Sequence, residues 1–281
     1  YSFGRALWTS VFHSIAAFNN SGFDILGGLQ NLIPYQKNVL LNLTTCGLII
    51  FGGLGFLVIL DVKRCRGSFR KLSLNSKVVI TTTIALLLSG TLLLKATEDM
   101  SWMGAFFHSV SARTAGFSTY PMGELTNAGL FTLTVLMFIG ASPGSTGGGI
   151  KTTTFFALMQ DVRSVFTKQR PGAFHRTISA ESMGKAPVIA LLSMLVVCVG
   201  TFLLCILEPE CTFIQLLFEE VSAFGTVGLS TGITPNLCVL SKLIIILTMF
   251  TGRVGAFTLL SIWIDRPEAS AHYTEESITI G

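Results

Sequence analysis

Three stretches of this chain place a glycine after a run of small and polar residues in matched context: Phe12-His13-Ser14-Ile15-Ala16-Ala17-Phe18-Asn19-Asn20-Ser21-Gly22-Phe23, Phe107-His108-Ser109-Val110-Ser111-Ala112-Arg113-Thr114-Ala115-Gly116-Phe117 and Phe218-Glu219-Glu220-Val221-Ser222-Ala223-Phe224-Gly225-Thr226-Val227-Gly228-Leu229. The chemistry that suits such strips is coordination of a dehydrated monovalent cation. Backbone carbonyls supply several oxygen ligands at once without holding the ion too tightly to leave. Aiming consecutive carbonyls one way forces some residues to positive φ, where glycine sits at least cost. The candidate ligand set is therefore Asn20, Ser21 and Gly22, Thr114, Ala115 and Gly116, and Thr226, Val227 and Gly228. Each glycine could also be a simple helix C-cap. Three in the same context, each after a short helix bounded by apolar segments, favour the coordinating reading.

A second polar element interrupts an apolar segment: Gly140-Ala141-Ser142-Pro143-Gly144-Ser145-Thr146-Gly147-Gly148-Gly149-Ile150-Lys151. Glycine and proline cost about 1 and 3 kcal/mol in a helix relative to alanine, so this run breaks any helix that carries it. At membrane depth such backbone survives only when buried in protein or facing water, and a loop beneath the coordinating strips is a natural gate. A phosphate-binding loop is excluded by spacing, because Ile150 separates Gly149 from Lys151 and no strand precedes it. Arg253 lies within the last apolar segment beside Gly252 and Gly255. A central arginine costs at least about 2.5 kcal/mol on insertion scales and needs water or a partner. We read it as facing inward below the strips, and expect Gly144, Ser145, Thr146, Gly147, Gly148, Gly149, Lys151 and Arg253 to form the gate. Arg113, beside the second strip, reads as a brace behind it.

The elements that position these groups follow from composition. Hydrophobic residues make up 50% of the chain and charged ones 12%, with a mean hydropathy of +0.66. That is an integral membrane protein rather than a soluble domain. The net charge of +4 reflects topology and not a nucleic-acid partner, because the cations cluster between spans: Lys63, Arg64, Arg66, Arg70, Lys71 and Lys77, then Arg163, Lys168, Arg170, Arg176 and Lys185. Both clusters should be cytoplasmic. Apolar spans are expected over Asn38–Leu60, Val78–Leu94, Asn127 to about Val165 with its internal break, Ala186–Leu207 and Leu237–Ile264. Short re-entrant helices are expected over Asp99–Ala112 and Cys211–Phe224, and Tyr1–Phe18 opens directly on the first strip. The expected class is an all-α membrane protein of tandem span–pore-helix–span repeats around a central pore. Residues 1–60 form a second repeat without its first span, 61–77 a cytoplasmic loop, 78–165 a third repeat, 166–185 a cytoplasmic loop, 186–264 a fourth repeat and 265–281 a cytoplasmic tail. The six cysteines and four histidines show neither metal spacing nor a nucleophile–base pattern, so no enzyme is read here. Cys211 and Cys238, both near the outer side, are a candidate disulfide.

With these residues in view, the three strips, the run from Gly140 to Lys151, and Thr251-Gly252-Arg253-Val254-Gly255 together resemble the Trk/Ktr/HKT superfamily of potassium transporters almost end to end. The ending, Arg266-Pro267-Glu268 through Ile278-Thr279-Ile280-Gly281, is more similar to Ktr-type membrane subunits. The resemblance implies four repeats around one pore, of which this chain looks like the second to fourth, K+ as the permeating ion, and no organic cofactor in this chain. It implies a homodimer in the plasma membrane (the bacterial inner membrane), crossing several times, on a cytoplasmic nucleotide-binding ring of RCK type. Glycine in all three strips points to potassium over sodium. Sodium dependence, sodium- or proton-coupled symport and a sodium-permeable member of the superfamily stand as the alternatives.

Overall fold

The computed structural model describes residues 2–28, 30–255 and 258. Among the described residues the regular structure is helical apart from a two-residue-per-strand hairpin, β1 (Gly172–Ala173) paired antiparallel with β2 (Arg176–Thr177), and an isolated bridge between Ile139 and Ile150. The helices are α1 (Phe3–Phe18), α2 (Val39–Leu54), α3 (Phe56–Arg64), α4 (Leu74–Thr97), α5 (Trp102–Ser111), α6 (Asn127–Phe138), α7 (Thr152–Thr167), α8 (Ala180–Leu207), α9 (Phe213–Phe224) and α10 (Val239–Val254).

Their starts are written in the sequence as side-chain caps. Ser73, Ser101, Thr126 and Ser179 each accept a hydrogen bond from the backbone N–H three residues on, and Thr212 with Gln215 forms a reciprocal capping box at α9. These satisfy donors that the first turn cannot bond internally. Between the caps, α4 and α8 are long and apolar enough to cross a membrane, and α2 with α3 makes a third candidate span bent by 92°. Leu88, Leu92, Leu191, Leu195, Phe202 and Leu247 stay exposed, as a lipid-facing surface requires. Short α1, α5 and α9 precede the three glycine strips. The last two are almost wholly enclosed: α5 packs on α4 and α2, and α9 on α6, α8 and α10.

Two of the expected elements differ in detail. The first span does not run straight from Asn38 to Leu60, because Gly55 takes φ +86° and ends α2 there. A left-handed residue cannot continue a right-handed helix. Likewise α10 ends at Gly255, with φ +93°, short of Ile264. The remainder of that expected span and the 265–281 tail lie outside the described residues. Cys211 and Cys238 are free thiols, so the candidate disulfide is absent.

Candidate functional site

The three glycine strips begin where α1, α5 and α9 stop. In each, two residues spaced two apart have positive φ: Asn20 (51°) with Gly22 (70°), Thr114 (75°) with Gly116 (81°), and Thr226 (49°) with Gly228 (92°). Alternation of left-handed and ordinary residues turns successive carbonyls toward one side. The glycines were legible in the sequence, but their partners two residues earlier are β-branched or amide residues in a conformation costing about 1–2 kcal/mol.

The strips converge. A Cβ placed on Gly22 would lie 2.7 Å from Ala115 O and 3.1 Å from Gly116 Cα, and one on Gly116 would overlap Val227 O and lie 3.3 Å from Gly22 Cα. One on Gly228 would meet only Gly116 Cα, at 3.8 Å. Just inward, Asn20 Oδ1 and Nδ2, Thr114 Oγ1 and Thr226 Oγ1 are buried with no hydrogen-bond partner among the described residues. These side chains occupy the same position of each strip.

Hydroxyls from the preceding helices fix the strips from behind. Ser111 Oγ donates to Phe117 O at 2.5 Å and Ser222 Oγ to Leu229 O at 2.6 Å. Sequence reasoning missed a second pair of braces. His108 is fully buried, with Nδ1 2.8 Å from Gly104 O, and its Nε2 accepts from Thr119 N at 3.3 Å. Glu219 accepts from Thr231 N at 2.8 Å, and also from the hydroxyls of Ser230, Thr231 and Thr234. Thr119 and Thr231 each stand three residues beyond their strip's glycine. The signal was present in the aligned Phe107-His108-Ser109 and Phe218-Glu219-Glu220, both of which place an acceptor after the phenylalanine.

The 140–151 loop lies directly beneath. Cβ atoms on Gly147 and Gly148 would overlap Thr114 Oγ1 and Thr226 Oγ1 respectively, and Thr146 Oγ1 donates to Phe18 O at 3.4 Å. The loop is tied to neighbours on both sides: Ser142 N donates to Gly53 O at 3.1 Å, Phe56 N to Gly144 O at 3.1 Å, and Arg253 Nη1 to Thr146 O at 2.5 Å. Lys151 Nζ donates to Gly147 O at 2.7 Å within the loop. Arg113 sits behind the second strip as a brace, its Nη2 donating to Gly140 O at 3.2 Å. Gly144, Ser145 and Gly149 complete the loop, with Ser145 Oγ on Ser142 O at 2.5 Å. The structure thus brings Arg253 and the loop together, and places Ser21, Ala115 and Val227 between the paired left-handed residues. No cluster of three metal-ligating side chains occurs among the described residues.

The profile of the TrkH cation transport protein family matches residues 4–98 and 68–271. Among curated relatives, the potassium/sodium uptake protein NtpJ of Enterococcus hirae is 37% identical over 299 residues, covering 100% of this chain and 66% of that protein. The Ktr system potassium uptake protein B is 37% identical in Vibrio alginolyticus, covering 98% of this chain and 63% of that protein, and 35% identical in Bacillus subtilis, covering 100% and 65%. The chain spans about two thirds of the length of these relatives. The crystal structure of the potassium transporter TrkH from Vibrio parahaemolyticus matches with a TM-score of 0.73 at 18% identity, over 92% of this chain and 58% of that one. The fold is shared.

Proposed function

Because the chain belongs to the TrkH family of cation transport proteins, we propose that it forms most of a potassium-conducting pore, with the three strips as its carbonyl-lined filter and the 140–151 loop as its gate. The observation that carries this reading is the matched set of left-handed pairs, Asn20/Gly22, Thr114/Gly116 and Thr226/Gly228, whose glycines meet at one place. At the inner end of that set, the amide oxygen of Asn20 and the hydroxyl oxygens of Thr114 and Thr226 have no protein partner. A buried polar atom left unpaired costs about 1–3 kcal/mol. A cation shed of its water is a partner suited to all three, and neutral oxygens bind it without trapping it.

The ends of α1, α5 and α9 favour the same ligand. Each helix carries about half a negative charge at its C-terminus, and each C-terminus runs straight into a strip. Lys151 and Arg253, held on loop carbonyls beneath, oppose a cation on the inner side until the loop moves. On this reading the cation-rich loops 61–77 and 166–185 face the cytoplasm, the strips open outward, and the pore works as a homodimer on a cytoplasmic RCK-type ring. The names of the Ktr relatives describe a system for potassium uptake, which agrees with K+ as the ion carried.

The test is potassium flux. Cells without their own potassium uptake should grow at low potassium when they express a complete four-repeat pore that contains this chain, and vesicles containing that pore should pass K+ in preference to Na+. Absence of K+ flux from protein correctly inserted in vesicles, or flux that needs a fixed ratio of Na+ or protons, would replace the channel reading with inactivity or coupled symport.

A further inference from the structure

We propose that a cavity behind the second strip, between α2, α4 and α5, holds one ordered water molecule shared by Arg113 and Thr83. The cavity measures about 20 Å³ and is lined by Ile49, Gly53, Thr83, Leu87, Val110 and Arg113, among others. About 10–15 Å³ suffices for one water, provided that polar groups are there to hold it, whereas an apolar cavity of this kind stays dry. Here two polar groups line it. Arg113 Nε and Thr83 Oγ1 are both buried without a hydrogen-bond partner among the described residues, and each residue is only 7% exposed.

The orientation of Thr83 is informative. Many threonines in the described helices turn their hydroxyls back onto the carbonyl four residues earlier, among them Thr45 on Leu41, Thr81 on Lys77, Thr91 on Leu87, Thr134 on Leu130 and Thr251 on Leu247. Thr248 instead bonds Glu220, and buried Thr201, like Thr83, makes no bond. The bond back to the helix carbonyl satisfies a hydroxyl in an apolar surrounding at no cost in neighbours. Thr83 forgoes it. Its hydroxyl and the Nε–H of Arg113 are then complementary to one small molecule that accepts from the guanidinium and exchanges a hydrogen bond with the hydroxyl.

A water has both capacities and the right size. It would tie α4 to Arg113, whose Nη2 already holds Gly140 O at the start of the loop, so that strip, loop and α4 share one polar joint. The guanidinium has no carboxylate within ion-pair distance among the described residues, so a small anion is the competing occupant and the test must separate the two.

The experiment is a structure of the protein in lipid, at a resolution that shows ordered solvent, for the unmodified protein, Thr83→Ser and Thr83→Val. It stands whether or not the pore reading above holds. One density peak should lie within hydrogen-bond distance of both Arg113 Nε and Thr83 Oγ1, persist in the serine variant and disappear in the valine variant, which keeps the volume and removes the hydroxyl. Crystals grown in bromide should show no anomalous peak there. The proposal is overturned by a bromide peak, by a peak that survives in Thr83→Val, or by Nε and Oγ1 bonding directly to protein carbonyls with the cavity collapsed.

Discussion

Alanine at Gly22, Gly116 and Gly228 should have graded effects, although the three positions look interchangeable in the sequence. All three have left-handed φ, which costs an L-residue about 1–2 kcal/mol. At Gly228 the added methyl meets nothing closer than Gly116 Cα at 3.8 Å, so that cost is nearly the whole effect. At Gly116 the methyl overlaps Val227 O, with Val227 C at 3.2 Å. Such overpacking adds about 1–3 kcal/mol, for a total of about 2–5 kcal/mol, and it displaces a carbonyl that we assign to the ion. Gly22, at 2.7 Å from Ala115 O, falls between. Since about 1.4 kcal/mol is tenfold in an equilibrium, the potassium-to-sodium permeability ratio should fall by no more than about thirtyfold in Gly228→Ala and by far more in Gly116→Ala, with a parallel loss of folded protein in the latter. Vesicle flux with K+ and Na+, normalised to the amount of inserted protein, measures this. Equal losses at Gly116 and Gly228, or the reverse order, would refute the argument, as would unchanged ion preference in all three.

Arg253→Ala, and separately a shortening of residues 144–149, should each raise flux, and together by less than the sum, because Arg253 acts through Thr146 O; flux that drops in both variants while protein remains in the membrane would show that the two elements support the pore instead of closing it. Glu219→Gln should melt close to the unmodified protein, since an amide oxygen still accepts from Thr231 N. Glu219→Leu leaves that amide and three hydroxyls without their partner, at about 1–3 kcal/mol for each group that stays buried, and equal melting temperatures for the two would remove Glu219 from the brace. Outside the membrane segments, Cys238 N donates to Glu208 Oε1 at 2.7 Å and holds the Glu208 carboxyl below its ordinary range. A lowered folded value means that the stabilisation is full above the ordinary carboxylate range and disappears as pH falls through the lowered one. Glu208→Gln should therefore flatten the acid limb of the melting-temperature profile, and an unaltered limb would argue against this anchor.

How much of this was legible in the sequence depended on whether a feature was local. Two helix starts were missed because the expected spans followed the apolar run, from Val78 and Ala186, whereas Ser73 and Ser179 cap polar first turns that begin α4 at Leu74 and α8 at Ala180. The strip glycines were readable because a positive φ is a local demand that glycine meets best. The left-handed state of Asn20, Thr114 and Thr226 was not, since nothing in an amide or β-branched residue announces a conformation that its neighbours impose. The bend at Gly55 was missed for a related reason. In a glycine-rich span, Gly47, Gly52, Gly53 and Gly55 look alike, and only tertiary contact separates Gly52, which packs against Phe18 O, from Gly55, which breaks the helix. His108 and Glu219 were passed over as isolated residues, although comparing the repeats with one another would have paired them.

The same comparison explains the position of the loop. Gly52 of α2 and Gly252 of α10 each pack so closely on the last carbonyl of a short helix, Phe18 O and Phe224 O, that no side chain fits. Three residues later, Gly55 and Gly255 take positive φ and the helix ends. The segment after α6 breaks at the corresponding depth but inserts residues 140–151 instead of a single glycine. Its neighbours have therefore already opened their backbones at that level, and the loop bonds to those openings: Ser142 N to Gly53 O, Thr146 N to Gly52 O, Phe56 N to Gly144 O, and Arg253 to Thr146 O. At about 0.5–1.5 kcal/mol for each neutral bond and about 1.5–3 kcal/mol for each from a charged group, these four bonds, with Thr146 Oγ1 on Phe18 O and Arg113 Nη2 on Gly140 O, hold the loop by about 5–12 kcal/mol. Only the low end of that range approaches the gap of a few kcal/mol at which a second conformation stays populated, so on the gate reading proposed above the loop must exchange these bonds for others, or for water, as it moves. On that proposed reading the inserted length supplies the freedom to move, and the ends of the neighbouring helices offer the backbone carbonyls of Gly52 and Gly53 as sites where the loop can be held or let go.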